Sequence, residues 1–356
     1  MTRVLRLGAI LLALAAAFVP IPPHWIESVY SEGVYLAVQR QVTRASNAVP
    51  IAVTDLLIAA AVLGAAVLVR RGMRLRRRTG AWVAARSTVS GAATAAAVIY
   101  LVFLATWGLN YRREPLAGRL DFERGRVTRE SVASLGRQVA ARLNALHAEV
   151  HARGWPAWED LPHLLAPSFA AVQRQLAPVT PARAGVPKWS LLTFYFERAG
   201  VSGVTNPFAL EVVVDRGQLP FERPFVAAHE WAHLAGYADE SEANFIGWLV
   251  CFQGPPIAEY SGDLVLLVYA LGAMPAADRT AVIRLLGPGP RGDLEEIGRR
   301  AERVWPWLQR PAWWVYDRYL RANRVEAGVR SYGLAVQLIT GTRFEASWVP
   351  VATNHE

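Results

Sequence analysis

The sequence predicts a mainly α chain: three N-terminal membrane-spanning helices, then an outer α+β domain with a small β-sheet. Three observations carry this expectation. Apolar segments at about 4–19, 53–69 and 89–109 each match the length that crosses ~30 Å of hydrocarbon. Over residues 128–154, apolar side chains recur at Val132, Leu135, Val139, Leu143, Leu146 and Val150, the 3-4-4-3-4 spacing of a helix with one buried face. Further on, short β-branched runs give way to "RPFVAAHEWAHLAG", which reads as a helix again.

The first apolar segment follows Arg3 and Arg6 and ends in "ALAAAF", a pattern that also suits a cleaved signal peptide. The third, "SGAATAAAVIYLVFLATWGLN", closes on Trp107, as interfacial anchors often do. Residues 70–87 hold seven arginines and no acid. Positive charge flanking spans stays inside, so this loop marks the cytoplasmic side and everything after about Asn110 is expected outside. The chain then divides into a membrane anchor, 1–110, and an extracytoplasmic domain, 111–356. Between the first two spans, Ile26, Val29, Tyr30, Val34, Tyr35 and Val38 follow helical spacing, which suggests a helix lying against the bilayer or beneath the outer domain.

The arginine-rich loop also accounts for most of the net charge of +9. About +2 remains elsewhere, so nucleic acid is not expected as a partner; the lipid bilayer is. The single cysteine, Cys251, excludes an internal disulfide and a cysteine-based zinc knuckle, and is expected in the core.

In the outer domain Thr128 can cap the start of the long helix and Gly154 its end. That helix carries a histidine pair, His147 and His151, with no glutamate after the first and no acidic cluster nearby in sequence, which reads as a solvated flank. "SLLTFYFERAGVSGVTNPFALEVVVD" reads as a strand, a glycine-containing turn and a second strand around residues 210–214. The next helix should have Pro224 in its first turn and Gly236 just past its end. Residues 264–274 are too few to span and suggest a buried helix. The aromatic run "VWPWLQRPAWWVYDRYL" is expected to pack the domain or face the membrane surface.

The chemistry concentrates in "AAHEWAHLAGYADESEANF". Residues four apart share a helix face, so His229 and His233 can hold one metal ion, and zinc held by nitrogen and oxygen is the expected cofactor. Glu230, about 100° around the helix, cannot join them as a ligand but can accept a proton from water activated by the ion. A strand, a short loop and an HExxH helix in that order is an arrangement that zinc peptidases use. A catalytic zinc needs a third protein ligand, and Asp239, Glu240 and Glu242 compete for the place. Asp239 fits the spacing HExxHxxGxxD, yet it also fits as the N-cap of the next helix with Glu242 as its capping-box partner. Capping of that kind leaves Glu240 free, with Glu242 the alternative. Asn244 lies one turn beyond Glu240 and could orient a ligand from behind.

Several motifs in this order, "WGLNYRREPL", "GVTNPFALEVVV", "AAHEWAHLAGYADESEANF", "EYSGDLVLLVYAL" and "YLRANRVEAGVRSYG", make the chain resemble a bacterial family of membrane-anchored HExxH proteins classed as a domain of unknown function. The family resembles the gluzincin clan. The resemblance implies a zincin-like metallopeptidase domain in the bacterial inner membrane, acting on a peptide or protein substrate. It further implies His229, His233 and Glu240 as zinc ligands and Glu230 as general base. Asn244 stands where the related helix usually has Asp; an amide accepts a hydrogen bond but raises ligand basicity less. Tyr260, Arg330 and Tyr332 lie in the quoted motifs as candidates to stabilise an oxyanion.

Overall fold

The computed structural model describes residues 3–177, 179–323 and 334–353. Helix α1 (Arg3–Phe18) has 16 residues, about 24 Å at ~1.5 Å per residue and short of the hydrocarbon thickness. Pro20, Pro22 and Pro23 follow it directly and cannot continue a helix. A single turn, α2 (Pro23–Trp25), and a π-helical stretch, Ile26–Val34, lead into α3 (Tyr35–Asn47). Segments Val4–Phe18 and Pro23–Asn47 are apolar and long enough to cross only as a pair, bent by 114°. Helices α4 (Val53–Thr79) and α5 (Ala81–Thr106) are each long and apolar enough to cross alone. Three separate spans therefore become two, or three with the bent pair counted, because prolines stop the first helix early.

Gly80, at φ +88°, makes the turn between α4 and α5. Gly72 faces Thr88 and Gly91 faces Leu68, so the two helices run antiparallel in close contact. Beyond them, α6 (Leu116–Arg119) precedes α7 (Arg129–Arg153), which starts as expected: Thr128 and Ser131 exchange side-chain and backbone hydrogen bonds in a capping box. Val132, Leu135, Val139, Leu143 and Val150 are buried along its stripe, and Gly154 ends it at φ +76°. Helix α8 (Leu161–Leu176) packs against the later core helices.

The first expected strand is instead a helix, α9 (Thr193–Ala199). The Ser190 carbonyl accepts from both the amide and the hydroxyl of Thr193, starting a turn, and Gly200 in the left-handed region closes the helix with a bond to Phe196 O. Local capping overrides the β preference of the aromatic residues. Strand β1 (Gly203–Asn206) falls where the sequence suggests a turn, and β2 (Glu211–Val214) falls where it suggests the second strand. They pair antiparallel, Gly203 opposite Val214 and Asn206 opposite Glu211.

Among the described residues seven helices follow: α10 (Arg223–Leu234), α11 (Glu240–Phe252), α12 (Pro256–Ala273), α13 (Ala276–Leu285), α14 (Pro288–Ala301), α15 (Pro306–Ala322) and α16 (Ala335–Gly341). The core forms where α7, α8, α10, α11 and α12 meet, around Phe169, Trp231, Phe245 and Trp248, with Cys251 fully buried. Leu264, Leu266, Leu267 and Ala270 make most of the stretch at 264–274 a buried helix, as expected. On α15, Trp307 and Trp314 point outward while Leu320 is buried.

Of the apolar set between residues 26 and 38, Ile26, Tyr30 and Tyr35 are buried against the rest of the protein, while Val29, Val34 and Val38 are exposed. Tyr35 is 1% exposed and donates to Leu234 O at 2.9 Å, and Thr43 donates to Leu210 O at 2.7 Å. The start of α4 is fixed by Glu211 of β2, whose buried carboxylate accepts from Val53 N (3.1 Å), Thr54 N (2.6 Å) and the Thr54 hydroxyl (2.8 Å). A carboxylate satisfies the orphan N–H groups of a helix start and complements its dipole. Lys188 Nζ neutralises it at 2.8 Å. Removing one partner of a buried pair leaves the other charge uncompensated, so Lys188→Met should cost about 3–5 kcal/mol. Thermal unfolding of the detergent-solubilised chain would measure it.

Candidate metal centre

Helix α10 carries the HExxH residues and ends where Gly236, at φ +86°, turns the chain. Asp239 then caps α11, accepting from Ser241 N at 2.8 Å. Gly247 of α11 packs directly on His229: a Cβ there would lie 3.0 Å from the His229 amide nitrogen. This close approach brings Glu240, in the first turn of α11, over both histidines.

Nε2 of His229 lies 3.4 Å and Nε2 of His233 3.6 Å from Glu240 Oε2. A tetrahedral ion about 2.0–2.2 Å from each ligand separates the ligand atoms by ~3.3–3.5 Å, so the three atoms suit one zinc-sized ion. His233 Nδ1 lies 2.7 Å from Tyr237 O and donates there, which leaves Nε2 as the ring nitrogen turned to the cluster. Among the described residues, buried Glu240 Oε2 accepts no hydrogen bond and His229 Nδ1 has no partner. A buried carboxylate oxygen left this way is costly unless a cation meets it.

The electrostatics agree. Burial disfavours the charged form of each group, yet the Glu240 carboxylate lifts His233 to about 9, and the imidazoles, His233 foremost, hold Glu240 well below the usual carboxylate range. The centre of the cluster therefore favours positive charge. The Tyr316 hydroxyl donates to Glu240 Oε1, and Tyr319 stacks on Tyr316 with ring centroids 6.1 Å apart.

Glu230 is buried beside the pair, and burial raises its pKa against the opposing pull of the two histidines. The Thr205 hydroxyl of β1 donates to its Oε2 at 2.8 Å. Gly203 of the same strand covers the carboxylate so closely that a Cβ would stand 2.7 Å from Oε1. Gly203→Ala should therefore displace the Glu230 side chain and cost about 1–3 kcal/mol; a melting temperature at or above that of the unaltered chain would count against this packing.

Each carboxylate named from sequence now has a place. Asp239 is the cap, but its partner is Ser241 rather than Glu242. Glu242 turns to the other side, where Leu116 N donates to it at 2.5 Å and burial, together with Asp239, pushes its pKa to about 7. Glu240 is the carboxylate that joins the histidines. Asn244 Oδ1 lies 3.3 Å from the Tyr269 hydroxyl, whereas His233 is oriented by donating from Nδ1 to Tyr237 O. Tyr260 is not at this cluster; its hydroxyl bonds Asp293. Arg330 and Tyr332 lie outside the described residues. Sequence reasoning missed Thr205, Tyr237 and Tyr316; only the tyrosines of "VYDRYL", three apart on one helix face, left a signal.

His147 and His151 are not a free solvated flank. Both face Asp293 of α14, at 3.8 and 2.9 Å. An acid 142 residues beyond His151 is invisible to local pattern reading.

A helical core with two histidines and a buried carboxylate on adjoining helices, fronted by apolar helices long enough to cross a membrane, defines the class of this chain. It belongs to the family described as "Protein of unknown function (DUF3810)", whose model matches residues 30–340. No curated protein and no solved structure matches it.

Proposed function

We propose that this protein is a membrane-anchored zinc metallopeptidase, gluzincin-like in its ligand set, that hydrolyses peptide bonds. The observation that carries the reading is the convergence of His229, His233 and the unsatisfied Glu240 Oε2 beside a buried Glu230. When bound, zinc supplies Lewis acidity and lowers the pKa of water to about 7. Glu230 takes the proton as water attacks the peptide carbonyl and returns it to the leaving amine. Thr205 holds one oxygen of that carboxylate in place, and Tyr316 fixes the Glu240 oxygen that faces away from the histidines.

The arginines of residues 70–87 support a cytoplasmic position for the turn between α4 and α5, hence an extracytoplasmic catalytic centre in the bacterial cell membrane. A second reading, a zinc-binding envelope sensor or scaffold without catalysis, draws on the uncharged Asn244. The deciding experiment uses the full-length chain in detergent: zinc content after dialysis, then digestion of an unbiased peptide library. One zinc at this cluster together with cleavage supports the peptidase. Zinc without cleavage leaves the sensor, and absence of stoichiometric zinc removes both.

A further inference from the structure

The histidine pair of α7 has the make-up of a second metal site. His147 and His151 stack at 4.1 Å between centroids with 26° between their planes. Their Nε2 atoms lie 3.8 and 2.9 Å from the same oxygen, Asp293 Oδ2. These distances bracket the ~3.3–3.5 Å between ligands of a tetrahedral ion. His151 Nε2 is within hydrogen-bonding distance of that oxygen, and His147 Nε2 lies near it but beyond that distance. All three ligand atoms lie within 4.8 Å of one another.

The surroundings are built. Asp293 is buried, and the fully buried Tyr260 hydroxyl donates to the same Oδ2, the kind of outer bond that orients a metal-bound carboxylate. Gly289 seats His147: a Cβ there would lie 2.3 Å from the ring. Asn144 of α7 brackets the start of α14, accepting from Gly287 N at 2.7 Å and donating to Leu285 O at 2.8 Å. Trp155 stands edge-on to His151 at 5.4 Å. Partial exposure of both histidines leaves an entry path and room for water as a fourth ligand.

We propose that His147, His151 and Asp293 bind a second divalent cation of the zinc class, which clamps α14 to α7. The residue after His147 is alanine, and Glu149 pairs with Arg153 at 2.9 Å, so the glutamate of the first cluster has no counterpart in this pair and the role assigned to the ion is structural.

The test uses the full-length chain carrying His229→Ala and His233→Ala, which clears the first cluster whatever its function. Equilibrium dialysis against zinc should leave about one ion per chain at roughly 10 µM free zinc, and zinc should raise its melting temperature. Adding Asp293→Asn should weaken binding at least tenfold and abolish the thermal shift. His147→Gln, at a partly exposed position, gives the same readout should Asp293→Asn unfold the chain. No retained zinc, or retention indifferent to both substitutions, would overturn the proposal.

Discussion

On the peptidase we propose, Glu230→Gln should leave bound zinc unchanged and lower the rate of peptide hydrolysis by about 10²–10⁴-fold, the usual contribution of a positioned general base. Glutamine keeps the shape that fits under Gly203 and can still accept from Thr205, so the fold and the histidine pair are preserved. It cannot take a proton. The measurement is cleavage of a fluorogenic peptide chosen from the library digest, with metal content determined on the same samples. Equal rates in the two proteins would remove Glu230 as the base, and loss of zinc in the variant would make it a structural residue instead.

The second large effect separates two neighbouring acids. Glu240→Ala should cut zinc affinity by more than about 100-fold, beyond what removal of an outer hydrogen bond does, whereas Glu242→Ala should leave it nearly unchanged. Glu240 Oε2 faces both imidazoles, while Glu242 faces the Leu116 amide. A competition titration against a chromophoric chelator reads both, with His147→Gln in the background so that only this cluster is titrated. A reversed order would mean that the first turn of α11 is rotated from the arrangement described above.

How far the site could be read in advance depended on chain distance. The HExxH residues, Glu240 and the cap at Asp239 all lie within one helix, one turn and the start of the next, so helical geometry and capping rules reach them, whereas Glu242, read as the cap's partner, binds the distant Leu116 amide instead. The caps at Thr128 and Gly154 were legible for the same reason. Thr205 and Tyr316 come to the site from a hairpin and from a helix 76 residues beyond Glu240; the paired tyrosines of that helix stand out in the sequence, but nothing local says which residue they meet. Residues 193–199 misled because aromatic and β-branched side chains favour strands on average, while a serine turn and a left-handed glycine decide the local outcome. The histidines of α7 misled because their acid lies on another helix.

The buried Glu211 carboxylate has a mechanical meaning. It holds the first turn of α4, and it sits opposite Asn206, whose amide also reaches the Thr54 hydroxyl at 2.7 Å. Asn206 follows Thr205, the residue that seats Glu230. The head of the apolar helix and the seat of Glu230 share one two-stranded hairpin. The first turn of α4 and the strand that holds Glu230 are therefore tied through neighbouring residues of one hairpin, so a disturbance at either end is passed to the other over a few hydrogen bonds.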